Sequence, residues 1–178
     1  EGANVEVIAI HGNFDDAQSA VKRIFTDEAT RASLDKDGMM LSSANSINWG
    51  RLAPQIAYYV SAYCDMVKAG TIKQGDKINV CVPTGNFGNI LAAYIAKQMG
   101  LPVNKFICAS NRNNVLTDFF KKDGEYDRNR DFYTTTSPSM DILISSNLER
   151  LLFFASGFDD KMVSELMTKL NTEGRYKV

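Results

Sequence analysis

Three compact apolar runs recur along this chain, and helical periodicity fills the intervals between them. Residues 5–10 (VEVIAI), 77–82 (KINVCV) and 105–109 (KFICA) have strand length, and the first is rich in β-branched residues. Their apolar character is nearly continuous, which predicts strands of a parallel sheet buried on both faces. After the first run, Gly12 supplies a turn, Asn13 and Asp16 form a capping pair, and Phe14, Ala17, Val21 and Ile24 follow at helical spacing. Residues 28–34 predict a short second helix, closed by DKDGM. A polar stretch rich in Ser and Asn, 41–51, leads into a long helix with Leu52, Ile56, Tyr59, Val60, Tyr63 and Val67 on one face. A further helix runs from the turn at 84–89 to Gly100, where Gly100 and Pro102 make a stop signal. Helices are also predicted over 115–121, 147–156 and 159–170. Residues 132–136 (FYTTT) are β-prone, and 121–131 (KKDGEYDRNRD) read as a charged surface turn.

Strands alternating with helices at short spacing predict an α/β fold: a three-layer parallel twisted sheet flanked by helices, in one domain spanning 1–178. Ligands of such sheets bind beyond the carboxyl ends of the strands. The loops 83–89 (PTGNFGN), 110–114 (SNRNN) and 11–16 (HGNFDD) each follow a predicted strand, so all three are expected to open on that edge.

Composition narrows the function classes. Over 178 residues the net charge is −1, with 44% hydrophobic and 23% charged residues. That leaves no basic footprint for nucleic acid or for an anionic membrane surface. No apolar run approaches the roughly 20 residues of a membrane helix, and no secretory leader is expected. Cys64, Cys81 and Cys108 are odd in number and far apart, which argues against a disulfide framework or a zinc site. Cys81 and Cys108 lie in strand runs and are expected to be buried and inert, in a reducing cytoplasm. The chain opens on Glu1 and enters an apolar run almost at once, as a piece of a longer protein would.

The turn PTGNFGN carries the most specific chemistry. A helix N-terminus presents unpaired N–H groups and about half a positive charge, and so attracts anions. Gly85 and Gly88 are expected to supply backbone angles that other residues resist, and to let a ligand approach the amides. No Lys-Ser/Thr follows Gly88, so this is not a P-loop; the third glycine of the dinucleotide fingerprint is missing too. Generic reading leaves two alternatives: a phosphate cradle, or a glycine turn opening an ordinary helix. A cradle here would use the amides of Gly85 through Asn89, helped by the Thr84 hydroxyl or the Asn side chains. It would suit a phosphate held permanently better than one in transfer, which usually recruits Lys, Arg or Mg²⁺.

The stretch VPTGNFGNILAAYIAKQMGLPV (82–103) closely resembles the phosphate-binding segment of threonine synthases, pyridoxal-phosphate enzymes of the tryptophan-synthase-β-like group (fold type II). HGNFDDAQ (11–18) resembles that family's Gly-x-Phe-Asp-Asp-x-Gln signature. SANSINWGRLAPQIAYY (43–59) resembles its Asn-Ser-Ile-Asn segment, and TTTSPSMDILISSNLERLLF (134–153) its Ser-Pro-x-Met-Asp-Ile run. The four stretches keep the family's order and spacing. The resemblance implies a parent enzyme that converts O-phospho-L-homoserine and water to L-threonine and phosphate, with pyridoxal 5'-phosphate as electron sink. It implies a cofactor-phosphate cup of Gly85, Asn86, Phe87, Gly88 and Asn89 with Thr84. It implies that Asn45, Ser46, Asn48 and Arg51 lie near cofactor or substrate, Arg51 being suited to a phosphate or carboxylate. No metal is implied.

The family's cofactor-bearing lysine belongs to a preceding segment, and none of the twelve lysines here stands in that context. This fragment is therefore expected to supply the cup without the nucleophile, to be inactive alone, and to self-associate through apolar surface left uncovered. Alternatives are another fold type II enzyme, such as a serine/threonine dehydratase or a cysteine synthase relative, and a non-catalytic domain of that fold. Elsewhere the simpler readings are structural. His11 is expected to be incidental, and Asp15 and Asp16 to cap a helix. Trp49 and the tyrosines of the long helix are expected in the core, and Glu149 and Arg150 on the surface. Asn111 and Asn113 could line the cleft, and Ser137 and Ser139 could approach the ring or form a plain turn.

Overall fold

The computed structural model describes residues 2–178, with Phe14 and Asp15 described in backbone only. The chain divides into two compact units, residues 1–42 and 43–178.

The first unit holds two helices, α1 (Phe14–Thr26) and α2 (Glu28–Lys36). The capping pair forms as its sequence predicts: Asn13 N–H donates to Asp16 Oδ2 (2.9 Å) and Asp16 N–H to Asn13 Oδ1 (3.1 Å). The Asp27 carboxylate caps α2 by accepting from Thr30 N–H (3.0 Å). The expected strand over 5–10 is not formed, and Val5, Val7, Ile8 and Ile10 are exposed. A β-branched run becomes a strand only beside another strand that takes up its N–H and C=O groups, and no described residue of this unit is in one. The loop 11–16 therefore follows no strand. Val21 and Ile24, which recur at helical spacing, are also exposed. Of the paired carboxylates, the Asp15 side chain lies outside the description.

In the second unit, β1 (Ile78–Pro83) and β2 (Val103–Ala109) pair in parallel, with Val80 opposite Phe106 and Pro83 opposite Ala109. The crossover helix α5 (Gly88–Gln98) contributes Ile90, Leu91, Ala92, Ala93 and Ala96 to the core. The parallel α/β sheet is thus present, with two of the three expected strands. Pro83 and Ala109 end their strands side by side, so loops 83–89 and 110–114 do open on one edge. Along β1 burial alternates: Val80 and Val82 are buried while Asn79, Cys81 and Pro83 are exposed. One face of this sheet is covered, and the expectation that Cys81 is buried fails for that reason. Cys108 is half-buried, and burial pushes its thiol above the ordinary range.

The long helix is broken in two. Asn48 caps a single turn, α3 (Trp49–Leu52); a 3₁₀ turn at Ala53–Gln55 carries Pro54; α4 (Ile56–Lys68) follows. Proline removes one N–H and is best placed at such a restart. Leu52 and Tyr63 are buried, but Trp49 (50% exposed), Tyr58 and Val60 are not core residues.

The charged stretch 121–131 contains a strand, β3 (Glu125–Asp127), which pairs antiparallel with β4 (Arg175–Lys177). Tyr126 faces Tyr176, their rings stacked 5.2 Å apart, and Phe119 of α6 (Val115–Lys121) meets both edge-on. Three buried aromatics outweigh the charges around them. The β-prone 132–136 is irregular instead. Helices α7 (Leu148–Ala155) and α8 (Asp160–Glu173) lie where predicted. Among the described residues no helix is long and apolar enough to cross a membrane, and no cluster of three metal-ligating side chains occurs.

Candidate functional site

The loop after β1 is built so that its carbonyls are engaged and its amides are free. Thr84 N–H extends the ladder to Ala109 O (2.7 Å), and its hydroxyl donates back to Val82 O (2.7 Å). Gly85 O accepts from Ser145 Oγ (2.8 Å). Asn86 O accepts from both the N–H (3.0 Å) and Nδ2 (2.9 Å) of Asn147, and Phe87 O starts α5 by accepting from Leu91 N–H (3.1 Å). Among the described residues the N–H groups of Gly85 through Asn89 have no acceptor, and no side chain caps α5. Among the described residues the Asn86 side chain, its Oδ1 buried, has no hydrogen-bond partner, and neither has the buried hydroxyl of Ser146.

Left-handed backbone is required at one position of this turn, and a glycine does not hold it. Phe87 has φ 63° and ψ 6°, whereas neither Gly85 nor Gly88 has positive φ. The expectation that the glycines supply unusual angles is therefore corrected: Gly88 supplies space, and a Cβ on Gly85 would make only ordinary contacts. A Cβ on Gly88 would stand 2.5 Å from Ser46 Cβ, and one on Gly85 would meet Ser139 O and Met140 Cα at 3.4 and 3.5 Å. Phe87 is 4% exposed, so its buried ring offsets a backbone cost of about 1–2 kcal/mol.

Two of the predicted cup side chains are occupied elsewhere. The Thr84 hydroxyl faces inward, as above. Asn89 donates from Nδ2 to Gln55 Oε1 (3.0 Å) and accepts from the Tyr59 hydroxyl, tying α5 to α4. Burial pushes Tyr59 up to about 12, so this hydroxyl is a standing donor.

Segment 43–52 crosses the start of α5. Asn45 Oδ1 accepts from Ile47 N–H (3.3 Å), and Asn48 holds Gly50 N–H and Ser43 O (both 2.9 Å), so the two asparagines shape their own loop. Arg51 donates to Ala44 O. Ser46 alone of the four predicted residues touches the cup, where its Oγ accepts from Asn147 Nδ2 (2.9 Å). Arg150, expected on the surface, instead reaches the carbonyls of Ser46 (2.9 Å) and Ile47.

The loop after β2 faces the same edge. Asp141 is 4% exposed, and its carboxylate accepts from Asn111 Nδ2 (2.7 Å), Asn113 Nδ2 (2.9 Å), Thr135 N–H (2.8 Å) and Thr135 Oγ1 (2.7 Å). Burial by itself would raise this carboxyl; the donors outweigh it and hold the group below its ordinary value. Asn111 also donates to Ser137 Oγ (2.9 Å), so Asn111, Asn113 and Ser137 join one network behind the turn Pro138–Met140 that abuts Gly85. Ser139 is exposed there and presents its carbonyl to Gly85. His11 lies in the other unit and is exposed.

Sequence reasoning missed Ser145, Asn147 and Arg150. They belong to a stretch quoted for its resemblance, but no periodicity marks a side chain that reaches back about 60 or 100 residues.

No protein-family model matches the chain. It is 51% identical over 173 residues to human threonine synthase-like 1, covering 96% of this chain and 23% of that protein. It is 42% identical over 177 residues to threonine synthase of Pseudomonas aeruginosa, covering 99% of this chain and 35% of that enzyme. The fold superimposes on pyridoxal-phosphate-bound threonine synthase from Brucella melitensis with TM-score 0.77 and 43% identity, over 94% of this chain and 34% of that one. Yeast threonine synthase follows at TM-score 0.73 and 39% identity. The α/β fold is therefore that of the pyridoxal-phosphate enzymes of this group. Within it, the chain is homologous over nearly its whole length to a part of the threonine synthases. It spans about a quarter to a third of the length of the curated relatives it matches.

Proposed function

We propose that this chain supplies the cofactor-phosphate site of a threonine synthase acting on O-phospho-L-homoserine. One observation carries the reading: a row of unpaired amides, Gly85 to Asn89, opens an eleven-residue helix while every carbonyl from Gly85 to Phe87 is tied back into the protein. Such a row attracts a phosphate dianion without any cation. Positions 84–90 carry no charged side chain to oppose it, and the unpartnered Asn86 amide adds adaptable hydrogen-bonding capacity. These groups fit the phosphate of pyridoxal 5'-phosphate. Bound, that cofactor supplies the electron sink for proton removal from the substrate; the chain's own residues bind its phosphate and orient the ring. Gly85 through Asn89 act through backbone, and Thr84 acts by fixing the strand end. Ser46 walls the cup, and Asn45, Asn48 and Arg51 shape the adjoining loop.

The parent protein, assayed with O-phospho-L-homoserine and pyridoxal phosphate, should release phosphate and threonine. Cofactor binding without that reaction would overturn the substrate and leave another enzyme of the same fold or a non-catalytic relative; absence of cofactor binding would overturn the cup.

A further inference from the structure

We infer that Asn147 and Arg150 are positioning residues that set the gap between the amide cup and segment 45–51, an inference that rests on the proposed use of both as one site. Both sit at the start of α7, far from the cup in sequence. Asn147 is fully buried and touches both sides of the gap: its N–H and Nδ2 bind Asn86 O at 3.0 and 2.9 Å, and the same Nδ2 binds Ser46 Oγ at 2.9 Å. Arg150 touches one side. Its guanidinium donates to Ser46 O (2.9 Å) and Ile47 O, and also to Asn147 Oδ1 (2.6 Å), which orients the amide for its two tasks.

Arg150 makes no ion pair among the described residues. A planar fork that serves two successive carbonyls and an amide is a geometry that lysine cannot reproduce. Gly88 shows how closely the gap is set, because a single methyl group there would overlap Ser46. The arrangement divides the work. Arg150 fixes the segment directly and reaches the cup only through the Asn147 carboxamide, leaving the Asn147 N–H and Ser145 Oγ bonds to the cup in place, whereas Asn147 fixes both.

Trp49, the sole tryptophan, lies within the segment and is half exposed, so its fluorescence reports the segment's freedom. The experiment measures acrylamide quenching and anisotropy of Trp49, thermal midpoint, and affinity for pyridoxal phosphate in the 178-residue chain. It compares wild type with Arg150→Gln, Arg150→Lys and Asn147→Ala. Arg130→Gln is the control, since Arg130 pairs with Asp118 (3.0 Å) in the same unit and binds neither element of the gap.

Arg150→Gln should raise the quenching constant about twofold, lower the anisotropy, and leave cofactor affinity within about threefold; Asn147→Ala should free Trp49 and weaken the cofactor about tenfold, the factor that one lost buried hydrogen bond is worth. Arg150→Lys should fall between wild type and Arg150→Gln. Unchanged Trp49 behaviour in a folded Arg150→Gln or Arg150→Lys would overturn the inference. So would an equal rise in Arg130→Gln, because the effect would then be global. If pyridoxal phosphate does not bind wild type, the cofactor reading falls, while the Trp49 comparison without ligand still decides this one.

Discussion

Gly88 and Ser46 share a space that admits only one side chain: a Cβ on Gly88 would stand 2.5 Å from the Cβ and 2.6 Å from the Oγ of Ser46. The glycine at the first position of α5 is there to let another segment cross it. Gly88→Ala should destabilise the fold by about 1–3 kcal/mol, as overpacking does, and weaken phosphate binding by displacing the wall of the cup. Ser46→Gly in the same chain should recover part of that loss. Urea unfolding of the single and double variants measures both.

Phe87 inverts the usual order of substitutions at a helix start. Its backbone is left-handed and its ring is buried. Removing the ring costs about 3–5 kcal/mol whatever replaces it. Alanine keeps the strain of positive φ, whereas glycine relieves it, so Phe87→Gly should be about 1 kcal/mol more stable than Phe87→Ala. Denaturant midpoints of the two variants decide the order.

Asn89 separates backbone from side-chain recognition. Its side chain serves Gln55 and Tyr59. Asn89→Ala should cost about 1–2 kcal/mol of stability through the lost hydrogen bonds. Phosphate affinity, measured by calorimetry, should change by less than about twofold, because the proposed site uses the Asn89 backbone amide and not its carboxamide.

Asp141 ties the loop after β2 to Thr135, and its folded pKa is depressed. A depressed carboxylate contributes stability that is fully present above its unfolded value and is lost as pH falls through the folded one. With the ordinary value at 3.8, the loss belongs below about pH 4. Asp141→Asn should be less stable than wild type at neutral pH and lose less of its stability on acidification, as thermal midpoints between pH 6 and pH 3 would record at about unit steps.

Those four sites also mark where the sequence was legible. Helix positions were readable because apolar spacing and caps are local: the Asn13 and Asp16 pair and the Val115–Lys121 helix formed as predicted. The parallel pair β1 and β2 was readable from two apolar runs. Residues 5–10 are a similarly apolar run and form no strand, because pairing depends on a neighbour and not on the run itself. Tyr126 made a strand out of a charged stretch by stacking on Tyr176, 50 residues away, which no local pattern encodes. At the site, the turn was legible and its inner logic was not. The sequence points to glycine for conformation, while the structure uses Gly88 for clearance and puts the left-handed angle on Phe87. Arg150 looked like a surface residue because nothing nearby in sequence explains it; its partners are the carbonyls of Ser46 and Ile47.

The central claim is that the backbone amides at the start of α5 hold the phosphate of pyridoxal 5'-phosphate. The most direct measurement is a titration of the ¹⁵N-labelled chain with pyridoxal phosphate, followed by amide chemical shifts, with pyridoxal as the phosphate-free comparison. The account predicts that the largest shifts fall on Gly85, Asn86, Phe87, Gly88 and Asn89 and that pyridoxal does not reproduce them. Saturable binding that leaves these five amides unmoved would contradict it.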